Sequence, residues 1–173
     1  MKNLEIKVIL ADFTHIQKVL ADYRAGILNQ SDTYFNVDDG RLKLREEDDK
    51  AYFIRYYRNN VSTDKESVYH CYLVEDVQEF WKIFASALTT ELVVKKSREL
   101  YLYKHARIHL DTVEGLGTFV EIEVLIRDQQ EQANSKGLMD ELIALLAIDQ
   151  AEVCALGYRE LLLNSTQISS VVT

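Results

Sequence analysis

The chain contains no proline, and so lacks the residue that most often marks a boundary between domains. No linker, internal repeat or low-complexity run supplies a boundary in its place. At 173 residues and 47% hydrophobic composition, the chain is long enough to bury a substantial core. One domain spanning 1–173 is expected, with 164–173 as a flexible tail. Cysteine is scarce: Cys71 and Cys154 lie far apart with no CxxC pair, which excludes a disulfide framework and a Cys-based zinc site. Both are expected as buried apolar fillers. The four histidines, His15, His70, His105 and His109, form no HExxH pattern, and no GxSxG accompanies them. No apolar run approaches the roughly 18 residues of a membrane span. Residues 1–10 carry Lys2, Glu5 and Lys7 where a leader would be apolar. A cytoplasmic protein with no membrane partner is expected. Positive charge is also lacking, with 20 basic residues against 28 acidic ones for a net charge of −8. Nucleic acid is therefore not an expected partner, and any basic site must be local.

Periodicity supplies the elements. Residues 3–10 read as a strand, and Phe13, Ile16, Val19, Leu20 and Tyr23 then follow helical spacing. Period-two alternation returns over 30–45 around Asp38-Asp39-Gly40, a hairpin signal. The acidic run at 46–50 predicts a turn into an aromatic strand at 51–58, and another strand is expected at 67–74. Asp76 and Glu79 form a capping box ahead of a helix carrying Val77, Phe80, Trp81, Phe84 and Leu88. Three further strands are expected at 92–98, 100–110 and 117–126. A helix follows Asp128, then a shorter segment at 150–163. About eight strands with inserted and appended helices give an antiparallel α+β domain. A closed sheet is attractive because it gathers charged faces into one lumen.

Four strand-like stretches carry charges two residues apart: Glu5 with Lys7, Lys43 with Arg45, Lys96 with Arg98, and Glu121 with Glu123. Residues i and i+2 share a face of a strand, so each pair projects onto one surface. If Lys7, Lys43, Arg45, Arg58, Lys96, Arg98 and Arg107 converge, seven positive charges face four from Glu5, Asp111, Glu121 and Glu123. The excess of three, raised to five by a divalent cation, offsets the roughly four negative charges of a nucleoside triphosphate. Hard Mg²⁺ or Mn²⁺ prefers oxygen ligands, which Glu5, Glu121 and Glu123 offer. Pattern alone equally allows cross-strand ion pairs on an exposed sheet face.

The order of motifs along the chain resembles the CYTH superfamily, the triphosphate tunnel metalloenzymes. Leu4-Glu5-Ile6-Lys7 resembles the later part of ExExK, and Gln30-Ser31-Asp32-Thr33-Tyr34-Phe35 the QxDxYF segment. Leu42-Lys43-Leu44-Arg45 resembles LKxR, and Tyr56-Tyr57-Arg58 the following YxR. Lys96-Ser97-Arg98, Arg107-Ile108-His109-Leu110-Asp111, Val113-Glu114-Gly115-Leu116-Gly117 and Phe119-Val120-Glu121-Ile122-Glu123 continue the family order. Gly157-Tyr158-Arg159-Glu160-Leu161-Leu162 resembles the terminal SYxxLL element. The second half is most similar to class IV adenylate cyclases.

The resemblance implies an eight-stranded antiparallel tunnel with helices packed outside. It implies Glu5 and Glu121 as ligands for Mg²⁺ or Mn²⁺, and the seven basic residues along the phosphates. Asp111 takes the position that orients or deprotonates the attacking group, with Lys7 beside it as a second catalytic position. The implied reaction is a class IV adenylate cyclase converting ATP to cyclic AMP and pyrophosphate. The alternatives are an inorganic tripolyphosphatase or thiamine triphosphatase, or a catalytically weak module that only binds a triphosphate. A homodimer is the oligomeric form toward which the resemblance points. One departure stands out: Asn3 replaces the first Glu of ExExK. Its amide carbonyl is a weaker metal ligand, and Glu123 is expected to compensate.

Overall fold

The computed structural model describes residues 2–58 and 67–171. The strands are β1 (Lys2–Ile9), β2 (Arg24–Phe35), β3 (Arg41–Glu47), β4 (Lys50–Arg58), β5 (Ser67–Val74), β6 (Thr90–Tyr103), β7 (Ala106–Val113), β8 (Gly117–Ile126) and β9 (Glu152–Val153). The helices are α1 (Thr14–Val19), α2 (Val77–Phe84), α3 (Gln129–Leu145) and α4 (Tyr158–Val171). One antiparallel sheet holds all nine strands in the order β5-β4-β3-β2-β6-β7-β8-β1-β9. The fold is α+β, as expected.

Two features differ from an eight-stranded closed tunnel. A ninth strand is present, and no strand pairing among the described residues joins β5 to the other end of the sheet. The outer edge of β1 is instead covered by β9, with Cys154 N–H donating to the Lys7 carbonyl at 2.8 Å. This satisfies backbone groups that ring closure would otherwise have paired.

Alternation along the strands sorts the side chains to two faces. Outward residues Val8, Ile108, Leu110, Val120, Ile122 and Val124 are buried against Ile16 of α1 and Leu138, Met139 and Leu142 of α3. At the other end, Phe35, Leu42, Leu44 and Ala51 pack with Phe80, Trp81 and Phe84 of α2. The opposite face of the same strands carries Glu5, Lys7, Asp32, Lys43, Arg45, Lys96, Arg98, Glu121 and Glu123, all lining one cavity. Glu5 of β1 and Tyr56 of β4 meet there although five strands separate them in the sheet order, so the sheet is strongly curled.

Local chemistry explains most element ends. Asp76 caps α2 and Asp128 caps α3, each accepting from a backbone N–H three residues on, Glu79 at 2.9 Å and Glu131 at 2.8 Å. Gly40 ends the β2–β3 connection at φ +68°, where an added Cβ would stand 2.9 Å from the Tyr56 carbonyl oxygen.

Several expectations need correction. The expected break between strands at residue 99 is absent: β6 runs through it, and the chain reverses at Lys104 (φ 51°) and His105. Lys104 reaches Glu141 of α3 at 2.7 and 2.8 Å, so a tertiary partner holds a turn that carries no glycine or asparagine. Glu46 and Glu47 belong to β3, leaving a turn only at Asp48 and Asp49. The segment at 150–163 is β9 and the start of α4, and residues 164–171 of the expected tail continue that helix. Cys154 is buried as expected, but Cys71 is exposed.

Candidate active site

The inward face encloses a cavity of about 240 Å³. Its walls carry seven basic side chains (Lys7, Arg41, Lys43, Arg45, Lys96, Arg98, Arg159) and five carboxylates (Glu5, Asp32, Glu121, Glu123, Glu160), a formal excess of two positive charges. The rest of the lining is Tyr34, Tyr56, Gly157 and Tyr158.

Asp32 organises one half. At 2% exposure its carboxylate accepts from Lys43 Nζ at 2.8 Å and from Arg45 Nε and Nη2 at 2.6 and 2.7 Å, with Lys96 Nζ at 3.4 Å. Burial raises its pKa, but Lys43, Arg45 and Lys96 outweigh this and hold it well below the usual carboxylate range. The lysines show the opposite balance. Burial drives Lys43 down to about 7 and Lys96 down to about 8, against the pull of Asp32 and with the push of neighbouring cations. Lys43 also faces the Tyr34 ring, 5.4 Å from its centroid.

The other half is anchored by Arg98, which donates to both oxygens of Asp111 at 2.7 and 2.6 Å and to Glu121 Oε2 at 2.7 Å. Burial disfavours the Glu121 anion, yet Arg98, His109 and Lys7 keep its pKa well below the ordinary value. Glu5 stands directly opposite Glu123, and Lys7 directly opposite Glu121, in the β1–β8 ladder. Two carboxylates facing each other in a ladder repel unless a cation lies between them. Arg107 Nη2 is 2.8 Å from Glu123 Oε2 but lacks hydrogen-bond geometry, and that buried oxygen has no hydrogen-bond partner. Glu5, Glu121 and Glu123 are three carboxylates on one stretch of the cavity wall, an oxygen donor set whose chemistry fits a divalent cation.

The N-terminal turn of α4 covers the cavity. Tyr158 donates to Asp111 at 2.7 Å, its ring lies under Lys7 at 4.2 Å, and it packs edge-on against Phe119. Ion pairs tie this turn across the sheet: Glu160 to Arg41 of β3 at 2.7 Å, and Arg159 to Glu91 of β6 at 2.5 Å.

Of the residues singled out from sequence, Lys7, Lys43, Arg45, Lys96, Arg98, Glu5, Glu121 and Glu123 line the cavity together. Arg107 does not: its side chain is 42% exposed beside Glu123. Asp111 lies behind the wall with both oxygens engaged by Arg98 and Tyr158. Asn3 pairs with Leu125 in the β1–β8 ladder and is not part of the lining. The Arg58 side chain lies outside the described residues. Sequence reasoning missed Asp32, Arg41, Tyr158, Arg159 and Glu160 as site residues. Arg41 shares the face of Lys43 and Arg45 by the same period of two, a signal that was present.

A profile of the CYTH domain family matches residues 1–152. The chain belongs to the CYTH domain family. A Methanocaldococcus jannaschii protein named "Putative adenylate cyclase" is 29% identical, over 93% of this chain and 98% of its own length. Among solved structures, the PH1012 protein of Pyrococcus horikoshii superimposes with a TM-score of 0.77 at 23% identity, covering 91% of this chain and 98% of that one. A Hippeastrum protein, named "Putative adenylyl cyclase" and described as having a dominant triphosphatase activity, gives 0.75 at 14%, covering 95% and 96%. At these identities the solved structures bear on the fold alone. CYTH domain proteins are metal-dependent adenylate cyclases or triphosphatases, and the expectation of an enzyme of one of these two kinds stands. No helix among the described residues is long and apolar enough to cross a membrane.

Proposed function

We propose that this CYTH protein binds a triphosphate in the charged cavity and, with a divalent cation, converts ATP to cyclic AMP and pyrophosphate. The observation that carries the triphosphate assignment is the charge of the lining. Its excess of two, raised to four by a divalent ion, matches the roughly four negative charges of the ligand. At about 240 Å³ the cavity is smaller than the ~300–1,000 Å³ of pockets that swallow a drug-sized molecule. It suits a phosphate chain, with the nucleoside at the mouth.

In this reading Arg45 and Arg98 grip phosphate oxygens through planar forks, while Lys7, Lys43 and Lys96 act as point charges. Asp32 holds Lys43, Arg45 and Lys96 in place before the ligand arrives. Asp111 positions Arg98 and Tyr158; with both oxygens committed to those groups, it acts through them. Mg²⁺ or Mn²⁺ held by Glu5, Glu121 and Glu123 would neutralise phosphate charge as it moves to the leaving group. Positioning and charge neutralisation supply the rate enhancement.

Hydrolysis of the terminal phosphate is the second reading. It is favoured by the compactness of the cavity and by the activity ascribed to the Hippeastrum relative. Product analysis separates the two. ATP, thiamine triphosphate and inorganic tripolyphosphate are offered separately with Mg²⁺ or Mn²⁺. Cyclic AMP with pyrophosphate is the expected outcome from ATP. Orthophosphate without cyclic AMP supports the second reading, and calorimetric binding without turnover of any substrate removes both.

A further inference from the structure

His109 sits in the Arg107–Asp111 motif but is given no role by the triphosphate reading, although it is one of the most deeply placed groups on the inward face. It is 4% exposed and stands directly opposite Glu121 in the β7–β8 ladder. Glu123, two residues on from Glu121, projects from the same face. One ligand atom from each of His109, Glu121 and Glu123 can be chosen so that all lie within 4.8 Å of one another. His109 Nδ1 is 3.5 Å from Glu121 Oε2, at the outer limit for a hydrogen bond. Two ligands of one ion, each about 2.1 Å from it at a tetrahedral angle, stand about 3.4 Å apart. That spacing admits a shared cation once Glu121 Oε2 exchanges Arg98 Nη2, 2.7 Å away, for the ion. The third member, Glu123, is held on its other side by Arg107, whose Nη2 is 2.8 Å from Oε2.

We propose that His109 supplies a nitrogen ligand to the cation held by Glu121 and Glu123, so that the site prefers a first-row transition ion over Mg²⁺. Imidazole suits Co²⁺ and Zn²⁺ and binds Mn²⁺ more weakly, whereas Mg²⁺ keeps to oxygen and water. Even with Glu5 as a third carboxylate, a six-coordinate ion bound by His109 keeps positions for water or a phosphate oxygen. The inference deepens the metal-dependent reading above and rests on it for the role of the site, but not for the existence of the nitrogen ligand.

The test uses the full chain without substrate. Mn²⁺ bound to the wild type is expected to show ¹⁴N coupling in pulsed electron paramagnetic resonance, and Co²⁺ an absorption spectrum typical of mixed nitrogen and oxygen ligation. In His109→Gln the coupling is lost, and affinity for Mn²⁺ and Co²⁺ falls about ten-fold or more while Mg²⁺ affinity changes little. Absent ¹⁴N coupling in the wild type, or coupling unchanged in His109→Gln, overturns the proposal. Should that variant fail to fold, ¹⁵N-histidine NMR decides: Zn²⁺ must shift the His109 ring, assigned by substituting His15, His70 and His105 in turn, and no shift there refutes nitrogen ligation. Nitrogen coupling without turnover of any triphosphate leaves the site standing and the functional reading fallen. Turnover with Mg²⁺ and no nitrogen coupling gives the reverse.

Discussion

Binding of a triphosphate should take up protons, by an amount that the two buried lysines set. In the free protein burial holds Lys43 at about 7 and Lys96 at about 8, below their ordinary 10.5. A phosphate chain beside them restores full protonation. At pH 8 the free protein carries about a tenth of a proton on Lys43 and about half on Lys96, so binding adds about 1.4 protons; at pH 6 it adds about 0.1. The terminal phosphate itself titrates near pH 6, which makes pH 8 the clean condition. Tripolyphosphate titrated calorimetrically with chelator present, in two buffers of different ionisation enthalpy, reads the number directly. Lys43→Gln should remove about 0.9 of the uptake at pH 8. An uptake near zero at pH 8, or one that falls between pH 6 and pH 8, refutes the argument. The same shifts act on folding. Between about 7 and the ordinary 10.5, the folded chain binds fewer protons at these lysines than the unfolded chain. Their contribution therefore favours folding as pH rises through that window, and is lost as pH falls through 8 and then 7.

Three further outcomes follow from single side chains. Asp32→Asn leaves Lys43, Arg45 and Lys96 without their buried counter-ion and should destabilise the free protein by about 3–5 kcal/mol in chemical unfolding, with tripolyphosphate restoring much of the loss; unchanged stability would show that the three cations need no internal anion. Glu123→Ala should raise the metal concentration needed for half-maximal activity about ten-fold or more, read from Mg²⁺ and Mn²⁺ titrations, because it removes one carboxylate of the donor set. Gly40→Ala places a Cβ 2.9 Å from the Tyr56 carbonyl oxygen at φ +68° and should cost about 1–3 kcal/mol, measured by thermal melting with tripolyphosphate affinity as a second readout.

The period of two made much of the site legible. Glu5, Lys7, Lys43, Arg45, Lys96, Arg98, Glu121 and Glu123 all sit on strands whose alternate residues are apolar, and the helices cover that apolar face. Which residues share a face follows from strand geometry. What a charge touches across the curl does not. Arg107 shares a face with His109 and Asp111, yet it lies toward the rim, and Asp111 is sealed behind Arg98 and Tyr158. The turn at Lys104 and His105 was hidden for a related reason, since the partner that stabilises it, Glu141, is 37 residues away on α3. Asp32 lies within the segment resembling QxDxYF, but a carboxylate among lysines looks misplaced in a phosphate site until its partners are known.

That carboxylate changes how the site must work. The free cavity is a set of internal ion pairs: Asp32 with Lys43, Arg45 and Lys96, and Glu121 with Arg98 and Lys7. A triphosphate therefore does not meet bare cations; it competes with carboxylates for them, and binding is an exchange of partners. Such an exchange is favourable only if the released carboxylates gain something. In the proposed reading the gain for Glu121 is a divalent cation, which would take the negative charge that Arg98 and Lys7 neutralise in the free protein and leave their charge for phosphate. On that reading cation and triphosphate should each raise the affinity of the other by the same factor, as linkage requires. Asp32 keeps its contacts in this reading, and Lys43 and Lys96 set the proton uptake measured without metal because burial has lowered their pKa.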